Sequence, residues 1–299
     1  MSYAVALHPS AAERDNAFQI RLARFNFLRL QPGHISTDWR VDIAGDHQMH
    51  LAEGDFLESE RQRIGEVAAT APQEPRAFVH WFEQLHEHGP GQGDPLFPWL
   101  ASQATLAQMR WFVTQEAAGE AGFEDLVAIA QVKLEGRAKL EMARNYWDEM
   151  GRGHARAMHG PMLSRLAEDL ALKPRIEDTV WESLALTNLM VGLAVNRRYA
   201  YQAIGALGVI EMTAPGRVAR VNEGLKRLDV PAATRRYFQV HATLDINHSK
   251  AWNEEVLYTL VAGMPRCALA LAEGALMRLE CGARCFRRYR AQFGLSDIT

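Results

Sequence analysis

Cysteine is scarce in this chain. Cys267, Cys281 and Cys285 are the only three in 299 residues, and an odd, sparse set in a long chain argues against a disulfide scaffold and fits a reducing compartment. Cys281 and Cys285 stand four apart in a helical stretch and read as small core residues. Long apolar runs are missing too. No segment approaches about 18 uninterrupted apolar residues, so no membrane span is expected. The N-terminus, MSYAVALHPSAAERD, lacks a basic region followed by an apolar one, so no signal peptide is expected and the cytoplasm is the default location. Charge of either sign is not in excess. Lys and Arg number 33 against 36 Asp and Glu, a net of -3, with no block of like charge. Nothing electrostatic calls for nucleic acid. Alternating strand patterns, internal repeats and low-complexity tracts are absent as well.

What remains is ample core material, 48% of the residues being hydrophobic, in a pattern that is helical almost throughout. Residues 11–30 carry Phe18, Leu22, Phe25 and Leu28 at helical spacing. Residues 31–55 hold Pro, Gly and scattered polar groups and read as loop. Breakers crowd residues 84–98, QLHEHGPGQGDPLFP, which read as a loop and a seam. This divides the chain into an N-terminal extension, 1–98, packed on a main helical body, 99–299. In that body, helical patterns cover residues 123–150 (with a junction near Gly136), 161–172, 177–195, 199–213, 218–228, 231–247, 252–262 and 267–293. The breaks fall at Gly151 and Gly153, Lys173-Pro174, Pro215-Gly216, Val230-Pro231 and Met264-Pro265. The fold class is all-α, a bundle with short connections.

The strongest chemical signal is YFQVHATLDINHSKAW. At about 100° per residue, His241, Asp245 and His248 fall within roughly 60° of one another on a helix. Two imidazoles and a carboxylate on an inward face are expensive unless paired. A divalent metal answers that cost; so would hydrogen bonds among the three, or a solvent-facing patch. One helix cannot complete a metal site, and bundle sites draw carboxylates from facing helices. Glu149 ends a helix in NYWDEMGRGHARAMH, where the dipole disfavours an acid, and the Gly151/Gly153 break can return His159 towards it. Glu211 is the lone charge in an apolar run, with Arg217 as an alternative partner to a metal. Glu116 follows Met109, Phe112 and Val113 by helical steps and can point inward, with Glu120 and Glu124 as nearby competitors. Glu141 is a reserve ligand or a partner for Arg137 or Arg144.

Taken together, three stretches resemble the haem-oxygenase-like di-iron oxidase and oxygenase superfamily, also described as iron-containing redox enzymes. They are NYWDEMGRGHARAMH, GALGVIEMTAPGR, and EGLKRLDVPAATRRYFQVHATLDINHSKAW, within residues 99–290. The resemblance implies a seven-helix bundle like haem oxygenase but without haem. It implies a metal site of Glu116, Glu149, His159, Glu211, His241, Asp245 and His248. It further implies two iron ions, Fe(II) and Fe(III) in turn, and dioxygen as co-substrate. The implied activity is oxidation of a small organic substrate, by N-oxygenation or by C–H or C–C oxidation, in specialised metabolism. An external reductant, and manganese in place of iron, fit the same ligands. Nearness to the ligand helices makes Tyr199, Tyr201, Tyr237, Arg236 and Trp252 candidates for the substrate pocket, against plain packing. A dimer is the default assembly. Two other readings stand beside this one: a cofactor-free enzyme holding a small molecule in the same cavity, and a non-catalytic helical module.

Overall fold

The computed structural model describes residues 16–33, 38–120 and 122–295, apart from the side chains of residues 244–246. All regular structure among the described residues is helical: α1 Asn16–Leu30, α2 Trp39–Ala68, α3 Pro75–His88, α4 Leu96–Ser102, α5 Leu106–Ala118, α6 Phe123–Ala130, α7 Gly136–Glu149, α8 His159–Asp169, α9 Trp181–Val195, α10 Ala200–Arg227, α11 Arg236–Ala251, α12 Tyr258–Gly263 and α13 Cys267–Phe293. A π-helical turn, Trp252–Leu257, joins α11 to α12. Among the described residues no helix is long and apolar enough to cross a membrane.

The long helices α10 and α13 form the axis, with α11 packed on the other side of α10. Their contact is set by two glycines. A Cβ at Gly205 would land on the carbonyl oxygen of Leu271, and one at Gly274 on the carbonyl oxygen of Gln202. The helices therefore touch backbone to backbone at one level. Twelve positions further along each, the Arg217 guanidinium lies 5.3 Å from the centre of the Phe286 ring, so the two helices run in the same direction with the register kept. A third glycine on α10, Gly208, receives the indole of Trp252, whose Nε1 would be 2.5 Å from a Cβ there.

Residues 39–68 are one continuous helix rather than a loop giving way to structure near residue 55. The Asp38 side chain accepts from Val41 N at 3.3 Å and caps its first turn. Its second half buries Phe56, Leu57, Ile64 and Ala68, and its first half leaves Trp39, Val41 and Ile43 exposed. The first half has no apolar stripe for periodicity to detect. Two of its acids turn inward: Glu53 pairs with Arg29, and Glu60 with Arg284. Phe18, Leu22, Phe56, Leu57 and Phe78 of the N-terminal helices share one core with Leu189, Leu207 and Leu276.

Pro215 is the other departure. The helix continues through it from Ala200 to Arg227, although a break is the usual outcome. The proline cannot donate to the carbonyl four residues earlier, which is that of Glu211. The irregularity thus falls on a residue of the site. The junction expected near Gly136 is present: α6 ends at Ala130 and α7 starts at Gly136, which has φ +59°.

Candidate metal centre

Four helix segments bring the site together. α7 ends at Glu149. Gly151, at φ +61°, and Gly153, at φ +83°, then turn the chain. At Gly151 a Cβ would collide with the backbone of Ala157 and Met158, so only glycine permits this close return. The return places His159, at the start of α8, beside Glu149, with Nδ1 2.5 Å from Oε2 and both side chains buried. α11 supplies His241 and His248, and α10 supplies Glu211. The result is two groups of candidate ligands, Glu149 with His159 and His241, and Glu149 with Glu211 and His248. Within each group the donor atoms lie within 4.8 Å of one another. Glu149 belongs to both.

Outer contacts fix the orientation of these ligands. His241 Nδ1 lies 2.8 Å from the carbonyl oxygen of Tyr237. That bond puts the proton on Nδ1 and leaves Nε2 as the lone-pair nitrogen. The Tyr237 ring packs on the same imidazole, centroids 4.3 Å apart, and the His159 ring meets it edge-on at 4.4 Å. His248 Nε2 lies 3.1 Å from Asp148 Oδ2, and its Nδ1 lies 3.5 Å from Glu211 Oε2. Asn145 Nδ2 donates to Glu211 Oε1 at 2.6 Å. Asn145 and Asp148 carry no signal in the sequence except position: Asn145 is one helical turn before Glu149 on the same inward face, and Asp148 is adjacent to it.

The electrostatics show a site under strain. Burial, then the charge of Glu211, push Glu149 up to about 9. Burial, then the neighbouring His159, push His241 down to about 4. His159 is lowered as well, chiefly by burial. Burial would raise Asp148, but hydrogen bonds from Arg152 and His248 outweigh it and hold this carboxyl below its ordinary range. Imidazoles held neutral are the state a cation requires, and a buried carboxyl that keeps its proton for want of a counter-charge is the state a cation relieves.

The donors fit such a cation. Ligand atoms each about 2.1 Å from one first-row ion lie at most about 4.2 Å apart, so groups spanning 4.8 Å need only a small closure. His159 Nδ1, although so near Glu149 Oε2, has no hydrogen-bond partner among the described residues. A cation bound by both would satisfy two donor atoms that converge without hydrogen-bond alignment. Imidazole and carboxylate together suit iron or manganese.

These contacts set a pH dependence for the metal-free protein. Glu149 keeps its proton in the fold up to about 9 and loses it near 4.5 when unfolded. Between those values the folded state binds more protons, so stability falls as pH rises. His241 has the opposite slope, but only between about 4 and its ordinary 6.5. From pH 7 to pH 9 the Glu149 slope stands, at most about 1.4 kcal/mol per pH unit. Metal-free protein is expected to melt progressively lower across that window, and Glu149→Gln to flatten the curve. An equally steep fall in the variant would rule out Glu149 as the source.

Glu116, expected as a ligand, belongs to neither group. Its carboxylate accepts from Tyr289 Oη at 2.9 Å and faces Arg278 and Arg217. Glu124, in the first turn of α6, comes towards this end of the site instead. Its Oε1 would be 2.9 Å from a Cβ at Gly160, and its charge acts on both His159 and Glu149. Glu141 pairs with Arg144. The side chain of Asp245 lies outside the described residues. Of the pocket candidates, Tyr237 lines a cavity of about 160 Å³ beside the site. Tyr199 is buried with its hydroxyl 2.7 Å from Glu58 Oε1, Trp252 is fully buried, and Arg236 lines a separate surface groove. Tyr201 is half-buried against the main core.

Residues 110–283 match the family model described as iron-containing redox enzyme. The chain belongs to that family. The match spans α5 to α13, so it contains every residue of both ligand groups, and the iron in the family's description agrees with a site of imidazoles and carboxylates. Two crystal structures of a CADD-like protein of unknown function from Nostoc punctiforme PCC 73102 share the fold. One aligns with a TM-score of 0.58 at 18% identity, covering 73% of this chain and 98% of the other. The second aligns with a TM-score of 0.56 at 17% identity, covering 76% and 98%. Among curated proteins none matches this iron-containing redox enzyme.

Proposed function

We propose that this chain is a non-haem di-iron oxidase or oxygenase that uses dioxygen to oxidise a small organic substrate. The observation that carries the reading is Glu149, shared by two groups of ligands that otherwise come from different residues. A carboxylate has two oxygens, and one set between two cations can bind both. The chemistry a pair of Fe(II) ions would supply there is electrons for dioxygen activation, towards N-oxygenation or C–H or C–C oxidation, with an external reductant restoring them.

The protein's own part is holding and shielding. Glu149 would serve both ions, His159 and His241 would complete one site and Glu211 and His248 the other, with Asp245, by its place in the sequence, as a further carboxylate. The Tyr237 carbonyl keeps the His241 proton on Nδ1 and leaves Nε2 free to bind a metal. Asp148 and Asn145 fix His248 and Glu211 from outside. The apolar wall beside Tyr237 limits water and admits substrate.

Protein reconstituted with Fe(II) without oxygen is expected to hold about two irons per chain, and exposure to oxygen to produce a transient visible absorption band. Correctly folded protein that retains only traces of iron after this treatment would overturn the reading, in favour of a cofactor-free enzyme or a non-catalytic module.

A further inference from the structure

The cavity beside the metal centre has two chemically different ends. Three of its lining residues are near neighbours of the ligands: Leu163 is one turn after His159, Ile210 precedes Glu211, and Tyr237 is one turn before His241. At the far end stand Arg217 and Arg278. Neither figures among the leading charges acting on Glu149, His159 or His241, and Arg217 is six residues beyond Glu211, about 9 Å along α10. Between the ends the wall is largely apolar, with Phe97, Phe112, Val218 and Phe286 prominent.

These two arginines differ from most of the other deep ones; buried Arg235, which also lacks a carboxylate, is met by the Val230 carbonyl and Asn222 Oδ1. Arg29, Arg284 and Arg290 each have a carboxylate of their own, Glu53, Glu60 and Asp94. Arg217 and Arg278 share the field of Glu116, which is already the acceptor of the Tyr289 hydroxyl. Among the described residues Arg217 has one hydrogen-bond partner, the neutral Thr213 Oγ1 at 2.8 Å. Burial, and then repulsion from Arg278, push it down to about 9. Arg278 Nε is buried with no hydrogen-bond partner among the described residues. Its guanidinium lies along its own helix over Gly282, where a Cβ would come within 2.8 Å of Nη1. The other cavity acid, Glu120, belongs to the metal end: it is held at about 7 first by burial and then by Glu124. The arginine end therefore sets two guanidiniums against one acid, Glu116, whose own carboxyl is pushed up by burial, and is short of negative charge.

We propose that the cavity binds a small amphipathic monocarboxylate, its head held by Arg217 and Arg278 and its apolar body laid along the wall towards His241 and Glu149. A planar carboxylate matches the planar guanidinium donors and supplies the missing negative charge. The volume, about 160 Å³, is close to the roughly 150 Å³ of an apolar cavity that takes up benzene. The carboxylate is thus an anchor, and the opposite, apolar end faces the reactive side. The choice of which end is oxidised rests on the metal reading above; the binding itself does not.

Calorimetric titration of the metal-free protein with phenylpropionate, its alcohol phenylpropanol and phenyl phosphate tests this. The carboxylate is expected to bind at least about tenfold more tightly than the alcohol. Arg278→Gln and Arg217→Gln should each weaken the carboxylate about tenfold or more while leaving the alcohol unchanged. The double change Arg278→Gln with Glu116→Gln, which leaves no unbalanced acid behind, should show the same loss if a single change unfolds the protein. Equal binding of acid and alcohol overturns the proposal. So do undiminished acid binding in folded arginine variants, tighter binding of phenyl phosphate, and no detectable binding of the acid. Iron loading measured on the same preparations reports separately on the metal reading.

Discussion

Glu149→Gln is expected to remove both metal ions at once, from about two irons per chain to a small fraction of one, whereas His241→Ala or Glu211→Gln removes about one. The difference follows from connectivity. Glu149 is the only described residue in both ligand groups. Glutamine keeps the volume and planarity of the side chain but offers one neutral oxygen where a carboxylate offers two charged ones. The metal-free fold should not suffer, because Glu149 is buried with its carboxyl pushed up to about 9. A neutral amide there removes the cost of holding that carboxyl protonated above neutral pH. Iron analysis together with melting curves of the metal-free protein separates loss of ligand from loss of fold. A folded Glu149→Gln protein that still holds one full equivalent would show that the two groups bind independently, and the bridging role would be wrong.

The second large effect concerns stability. Gly205→Ala or Gly274→Ala is expected to destabilise the protein by about 3 kcal/mol or more, a fall of roughly 5–10 °C in Tm. In each case the added methyl meets a backbone carbonyl of the facing helix, Leu271 or Gln202, and a backbone cannot rotate aside as a side chain can. The helices must separate, and packing along α10 and α13 loosens with them. Both glycines serve one crossing, so the double variant should lose clearly less than the sum of the single losses. Gly216, where a Cβ would meet nothing within 4 Å, is the control: it lies on the same helix, and Gly216→Ala should be neutral or slightly stabilising. A Gly205→Ala protein melting with the wild type would show that α10 and α13 are not in backbone contact.

Much of the site was legible because its signals are local. His241 and His248 declare a face by spacing alone, and Glu149 and Glu211 stand out against their surroundings, one at an unfavourable helix end and one in an apolar run. The glycine pair that returns His159 is equally visible. Glu116 shows the limit of this reasoning. Periodicity says that a residue points inward, not towards which part of the interior. The chain turns between α5 and α6 at Gly119 and Gly122, and that turn carries Glu124, not Glu116, to the neighbourhood of His159. Partners on distant helices are invisible for the same reason: the Glu116–Tyr289 and His248–Asp148 bonds join residues 173 and 100 positions apart. In the fold, Pro215 and residues 39–55 misled in opposite ways. Tertiary packing carries α10 through a residue that breaks isolated helices, and α2 extends past its buried half without an apolar face to announce it.

The glycine crossing also fixes a length. Glu211 stands six positions beyond Gly205 on α10, and Arg217 stands twelve beyond it, opposite Phe286 at the same height above Gly274. With main chain wedged against main chain there is no slack for either rod to slide. Glu211 and Arg217 are held apart by six residues of α10, and the crossing keeps Arg278 of α13 in step with them, so the scaffold carries a built-in gauge. Relatives that handle shorter or longer molecules on such a frame would have to move the cation to another turn of helix, or fill and empty the wall between, because the gauge itself does not stretch.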